Sequence, residues 1–153
     1  MLKKLLTTKD DISMMTLRIT LGLVIFPHGA QKLFGWFGGY GFSGTMHYFN
    51  ENMGIPYLFA LLAILAESFG ALGLIVGLGT RIAAMGVGAT IGVAAIMGHL
   101  QHGFFMNWFG KQAGEGFEYH LLVVGMALAL TISGGGKWSL DRLLSKERKG
   151  EGN

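Results

Sequence analysis

The chain has no cysteine among its 153 residues, so it forms no disulfide and carries out no dithiol chemistry of its own. Charge is scarce as well: 14% of residues are charged against 51% hydrophobic, and a mean hydropathy of +0.47 is high for a water-soluble protein. The formal net charge of +3 comes mainly from the two ends, which argues for a basic rim beside a membrane and against a nucleic-acid partner. No apolar core with a small-residue cleavage site follows the opening MLKKLLTTKDD. No cleavable signal peptide is therefore expected, and the first helix serves as its own insertion signal. No internal repeat stands out, and the length suits a single domain, 1–153.

Glycine, by contrast, is abundant at 26 residues, spread through the apolar segments without a collagen-like period. Glycine is enriched in membrane helices, where it lets backbones approach closely. Four apolar segments, 13–34, 55–78, 81–102 and 117–133, come near the roughly 20 residues that a spanning helix needs. The expected fold is thus all-α: an integral membrane four-helix bundle. The fourth segment is short, so Glu118 and His120 must lie within or against the bilayer. Between the first two segments, Thr45–Met53 can form a short helix lying in the interface. The GLGTR turn, Gly77–Arg81, makes the second and third segments a hairpin, and 134–153 reads as a solvated basic tail.

Orientation follows from lysine and arginine outside the spans. Lys3, Lys4, Lys9 and Arg81 share one side with Lys137, Arg142, Lys146, Arg148 and Lys149 of the tail; Lys111 and Lys32 fall on the other. Both termini are expected to be cytoplasmic, with the two aromatic loops outside.

The informative stretch is RITLGLVIFPHGAQKLFGW, Arg18–Trp36. At about 100° per residue, Arg18, His28 and Lys32 share an arc of roughly 80°. Lipid rejects such a stripe, so it must face other helices or water. Pro27 removes a backbone hydrogen bond to Leu23 and leaves a carbonyl free near His28. In the second span Glu67 shares a small-residue face with Ala60, Ala63, Gly70, Ala71 and Leu74. Arg18 is its first-choice partner, with Lys32 and Arg81 as alternatives; a structural ion pair fixing helix register explains the pair as well as a catalytic one does. In the third span Gly88, Gly92, Ala95, His99 and His102 again share about 80° of arc, a groove of small residues leading to two histidines. His28, Gln31 and Lys32 end the first helix at that level, and Glu118 and His120 begin the fourth there.

Three chemistries suit this cluster: a metal, or haem held by two imidazoles; proton relay to a quinone carbonyl; or an anion cradled by Lys32, Arg18 and neutral histidines. The plain alternative is a set of hydrated interfacial histidines, and His47 in the loop is read that way. Neither HExxH nor CxxCH occurs, so no metal site is assigned.

HGAQKLFGW (His28–Trp36), GGYGFSGT (Gly38–Thr45), GIP (Gly54–Pro56), Glu67, GLGTRIAA (Gly77–Ala84) and GEGFEYHLL (Gly114–Leu122) together resemble the DoxX family of small membrane proteins. The resemblance spans about Arg18 to Leu130, with the blocks in the family's order. It implies a four-helix bundle in the bacterial cytoplasmic (inner) membrane, crossing it several times, with respiratory or redox-defence roles. One branch is part of a thiosulfate:quinone oxidoreductase; another joins a superoxide dismutase and a sulfurtransferase; other relatives are linked to quinone or catechol detoxification. The family's polar positions correspond here to Arg18, His28, Gln31, Lys32, Glu67, Arg81, Glu118 and Tyr119. The leading expectation is a quinone-interacting redox component, such as one subunit of a membrane oxidoreductase, using ubiquinone or menaquinone. In it Glu67, Glu118 and His28 do the proton chemistry, and Arg18, His28, Gln31, Lys32, His99, His102, Tyr119 and His120 hold the ring. A non-enzymatic scaffold that recruits soluble redox partners or other redox subunits, or self-associates, is the alternative. Bis-histidine haem binding is the third and less favoured.

Overall fold

The computed structural model describes residues 5–150, with side chains as far as 145; Lys3 and Lys4 lie outside the described residues, as do the side chains of Lys146, Arg148 and Lys149. Among the described residues the structure is helical throughout, without strands. The long helices are α1 (Ile12–Phe34), α3 (Tyr57–Val76), α4 (Thr80–His102) and α5 (Glu118–Ser133). A short α2 (Gly41–His47) precedes α3, and α6 (Leu140–Gly150) closes the chain. Helices α1, α3 and α4 are each long and apolar enough to cross a membrane, whereas α5 has 16 residues and is shorter.

Local sequence explains the boundaries. Asp11 caps α1, its carboxylate accepting the N–H groups of Ser13 and Met14 at 2.7 and 3.2 Å. Gly35 ends the helix in the left-handed conformation, and α1 continues through Pro27. Pro56 stands just before α3, where a missing N–H costs nothing. Two of the long helices contain a π turn: Ala66–Gly70 within α3 and Ala95–His99 within α4. A third π turn, Tyr48–Asn52, follows α2 within the segment where the sequence suggests a short helix.

The long helices pack chiefly in a ring, α3 on α1, α1 on α5, α5 on α4 and α4 on α3. Leu21, Ile25, Leu74, Val87, Val123 and Leu130 meet at its centre. Close approach of α1 to α3 depends on Gly22 and Gly29. A Cβ at Gly29 would collide with the backbone of Glu67 and Ser68. Outside, the pattern is inverted relative to a soluble protein: Phe59, Phe69, Ile82, Met85, Leu122 and Ile132 are all more than half exposed, while Arg18 and Glu67 are buried. An apolar exterior around buried charge suits a hydrocarbon solvent.

Arg18 is not the partner of Glu67. The two stand apart because Glu67 meets Lys32, and fourteen residues of helix separate Arg18 from Lys32 by roughly 21 Å along the axis, more than a shared tilt of the two helices makes up. The Arg18 guanidinium is 1% exposed and donates only to backbone carbonyls. Those are Gly135 (2.8 Å), Leu74 (2.9 Å), Ile75 (2.5 Å), Lys137 (3.3 Å) and Trp138 (2.8 Å). Three of the acceptors belong to the segment read from sequence as solvated tail, whose first part, as far as Asp141, is instead packed. Trp138 is held at φ 52°, a strained region for a side-chain-bearing residue, and its carbonyl faces Arg18. Asp141, 1% exposed, accepts the N–H groups of Gly79 (2.7 Å) and Thr80 (2.9 Å) and so caps α4 from the far end of the chain. Gly77 sits at φ 72° beneath this clamp, where a Cβ would fall 2.9 Å from the Arg18 Cζ. Arg81 is likewise employed on carbonyls, those of Thr131, Ile132 and Thr7.

Arg18→Leu should therefore destabilise the protein by at least about 3 kcal/mol, since several charge-assisted bonds are lost and buried carbonyls are stranded. Arg18→Lys should recover only part of this, because an ammonium has fewer donors and no planar fork. Thermal unfolding in detergent reads both, and a melting temperature unmoved by Arg18→Leu would show the clamp to be dispensable.

Candidate functional site

At the end of the ring opposite the arginine clamp, the helices part around a cavity of about 480 Å³. Most of its wall is apolar, from Ile91, Val93, Met97, Phe49 and Met53 among others. Groups able to exchange a proton or hydrogen bond gather in it from four helices: His28, Lys32, Glu67, His99, Tyr119 and His120. Size and lining match a site for a small organic ligand.

Each side chain arrives for a local reason. The last two turns of α1 carry His28 and Lys32. Glu67 lies in the π turn of α3, where Ser68 also donates from its hydroxyl to the Gly29 carbonyl at 3.1 Å and locks the turn against α1. His99 ends the π turn of α4. Such turns are rare and are found disproportionately at functional sites, because one extra residue in the ring re-aims the side chains around it. Tyr119 and His120 open α5.

The central contact is the ion pair Lys32 Nζ–Glu67 Oε2 at 2.5 Å, with the carboxylate side 3% exposed and the ammonium side 24%. Lys32, an alternative in the sequence reading, thus replaces Arg18 as the partner. Around it the rings crowd together at tilted and edge-on angles. His99 and His120 have centroids 4.0 Å apart, Tyr119 lies edge-on to His120 at 5.4 Å, and His28 is 6.3 Å from Tyr119. His28 is itself exposed and forms the mouth of the cavity. Two buried polar atoms in this group have no protein partner, Tyr119 Oη and His120 Nδ1. An unsatisfied buried polar atom costs roughly 1–3 kcal/mol, so each is an open valence for a ligand or water.

The remaining residues proposed from sequence lie elsewhere. Arg18 belongs to the clamp. Gln31 donates to the Phe37 carbonyl at 3.4 Å, and His102 packs beside Gly114. Glu118 has a structural role, in which its carboxylate accepts the Met106 N–H at 2.9 Å and holds the 103–117 loop over the cavity. None of these four lines it. That loop is braced further by Phe117 N–H to the Gly103 carbonyl (3.1 Å) and by the His99 Nδ1 contact with the Glu115 carbonyl (2.9 Å). Glu115 and Met106 complete the lid side of the cavity; neither is singled out by the sequence, although Glu115 falls within the GEGFEYHLL block. Among the described residues no three histidine or acidic groups converge as a metal would require.

The DoxX family profile matches residues 13–100, more than half of the chain. The protein belongs to the DoxX family. Its relatives agree. "Inner membrane protein YqjF" of Escherichia coli (strain K12) is 31% identical over 138 residues, covering 90% of this chain and 96% of that one. "Putative oxidoreductase CatD" of Bacillus subtilis (strain 168) is 30% identical over 123 residues, covering 80% and 81% respectively. No solved structure matches the chain. As a DoxX-family member it is a membrane protein, in keeping with its three long apolar helices. The profile stops at residue 100, so the loop and the α5 residues Tyr119 and His120 lie beyond the matched span.

If Lys32 neutralises Glu67, Lys32→Met alone should strand a buried carboxylate and cost about 3 kcal/mol, whereas Lys32→Met with Glu67→Gln should recover most of that loss. A double-mutant cycle by denaturant unfolding in micelles reads the coupling. Simple additivity of the two changes would mean that the pair contributes nothing as a pair.

Proposed function

We propose that this DoxX-family protein is a quinone-interacting redox component of the bacterial cytoplasmic membrane, built as one domain that crosses the bilayer four times with both termini cytoplasmic. The observation that carries the proposal is the mainly apolar cavity in which an ion pair, three imidazoles and a tyrosine converge, with Tyr119 Oη and His120 Nδ1 left open. Ubiquinone and menaquinone are the natural ring types. When bound, a quinone supplies two-electron, two-proton redox chemistry. Tyr119 and His120 would bind its oxygen atoms, and His99, packed at a tilt against it, would fix the His120 ring. Glu67, held by Lys32 beside the ring, would accept or return a proton. His28 at the mouth would pass that proton to water. With no cysteine in the chain, electrons would come from a separate redox subunit or soluble enzyme rather than from a dithiol here.

The topology rests on the clamp end. There Gly136 N–H donates to Thr8 Oγ1 at 2.7 Å, Lys137 N–H to the Asp11 carbonyl at 2.9 Å, and Arg142 pairs with Asp10 at 2.6 Å. The first and last described segments are thereby tied together, and their lysines and arginines form the basic rim expected on the cytoplasmic side. The scaffold reading draws on a different feature. Phe37, Tyr40, Trp108 and Phe109 are 70–85% exposed. Aromatics at headgroup depth account for them equally well. For haem, the contact between the His99 and His120 rings leaves no room for a macrocycle between them.

Protein extracted gently from native membranes should carry quinone detectable by mass spectrometry of its lipid extract. Tyr119→Phe and His120→Ala should each weaken quinone binding about tenfold, the value of one hydrogen bond to a buried group. Gln31→Ala and His102→Ala, which lie off the cavity, should leave it unchanged. Absence of co-extracted quinone together with unaltered affinity in Tyr119→Phe and His120→Ala would remove the proposal.

A further inference from the structure

Helices α3 and α4 enclose a second hollow of about 490 Å³ on the outer, apolar surface. Its floor consists of small residues at helical spacing: Ala63, Ala66 and Gly70 on α3, and Ala83, Gly86 and Ala89 on α4. Bulky, exposed side chains such as Phe59, Leu62 and Ile82 form the rims. From Ile82 to Val93 it extends roughly 16 Å along α4. Four residues line both this groove and the polar cavity: Ile55, Ala63, Thr90 and Val93. The two hollows therefore meet at a shared threshold. On its inner side the cavity holds His120, only 6% exposed, with Nδ1 unpartnered.

We infer that the groove between α3 and α4 is the lateral entry and seat for the long alkyl or isoprenoid tail of the same ring compound whose head enters the cavity. The occupant follows from the shape and polarity of the paired hollows. A chamber with polar groups adjoins, across Ile55, Ala63, Thr90 and Val93, an almost wholly apolar groove, the complement of a molecule with one ring and one tail. The 103–117 loop covers the cavity from above through Met106 and Glu115, and the α1 and α5 walls carry His28, Lys32, Tyr119 and His120; between Glu67 and His99, the way out past Ala63 and Val93 is the most apolar. Surrounding lipid is as apolar as the groove, so seating a tail there gains little hydrophobic energy. The groove acts instead as a track: it packs around the tail and delivers the ring, oxygen atoms first, toward Tyr119 and His120.

This inference rests on the quinone proposal, and the test separates the two. Protein in lipid nanodiscs is irradiated with a dimethoxy-methyl-benzoquinone bearing a decyl tail, carrying a diazirine either at the tail end or on the ring, and labelled peptides are mapped. The ring probe should label the cavity wall near Met97 and Met106. The tail probe should label the groove near Leu62 and Ile82, and an excess of the tailless ring should compete that labelling away. Ala89→Phe, which fills the groove at an exposed position, should abolish tail labelling of the groove, while Met85→Phe on the neighbouring lipid face should not. Ring labelling of the cavity without tail labelling of the groove overturns the inference and leaves the quinone proposal intact. Groove labelling that the tailless ring fails to displace also overturns it, since ordinary partitioning of tails then explains the signal. Absence of labelling by both probes overturns the two together.

Discussion

The buried guanidinium of Arg18 is the constraint on which the architecture turns. A cation with five N–H groups placed deep among apolar helices must be satisfied or expelled, and here every bond goes to a backbone carbonyl. Carbonyls at the end of a helix have no intrahelical partners. Leu74 and Ile75 near the end of α3 thus supply acceptors that would otherwise need water, and the 134–139 segment bends around to supply the others. Asp141 completes the arrangement by capping α4. One end of the molecule is thereby closed by polar bonds, and the cavity lies at the other.

That division explains why the charged groups on one helix stripe do unrelated work. Arg18 and Lys32 face nearly the same direction, yet one fastens backbone and the other neutralises a carboxylate in a cavity. The π turns sharpen the division. In α3 the turn places Glu67 towards Lys32 and Ser68 against Gly29, and in α4 the turn brings His99 onto His120. Without the extra residue in each ring, the face presented to the cavity would be rotated away from its partners.

Much of this is legible in the amino acids. Hydrophobic runs locate the long helices to within two residues at most ends, and His28, Lys32, Glu67, His99 and His120 stand out because lipid tolerates none of them singly. Tyr119 enters through the family resemblance alone. What cannot be read is depth and phase. Pairing Arg18 with Glu67 requires the first two helices to tilt the two to one depth, whereas Glu67 packs against Gly29, about three turns further along α1. A fixed 100° step cannot register a π turn, and no residue type marks one. The packed tail escapes for a different reason: its acceptors are main-chain oxygens, and Gly134–Gly136 look like a linker. Glu118 is ambiguous in the sequence because a carboxylate capping a loop N–H and one carrying protons are the same letter; the structure places it off the cavity, on the Met106 N–H.

The span of the Arg18 contacts bears on biogenesis. Its acceptor in Trp138 lies 120 residues downstream, so a guanidinium threaded early into the translocation machinery waits for that residue before its full set of bonds can form. At ordinary elongation rates that is roughly ten seconds, during which water, lipid phosphate or the insertion apparatus must stand in for the missing oxygens. Nascent chains released short of that point would leave the arginine unsatisfied inside the bilayer, a signature that membrane quality-control proteases can read as incompleteness.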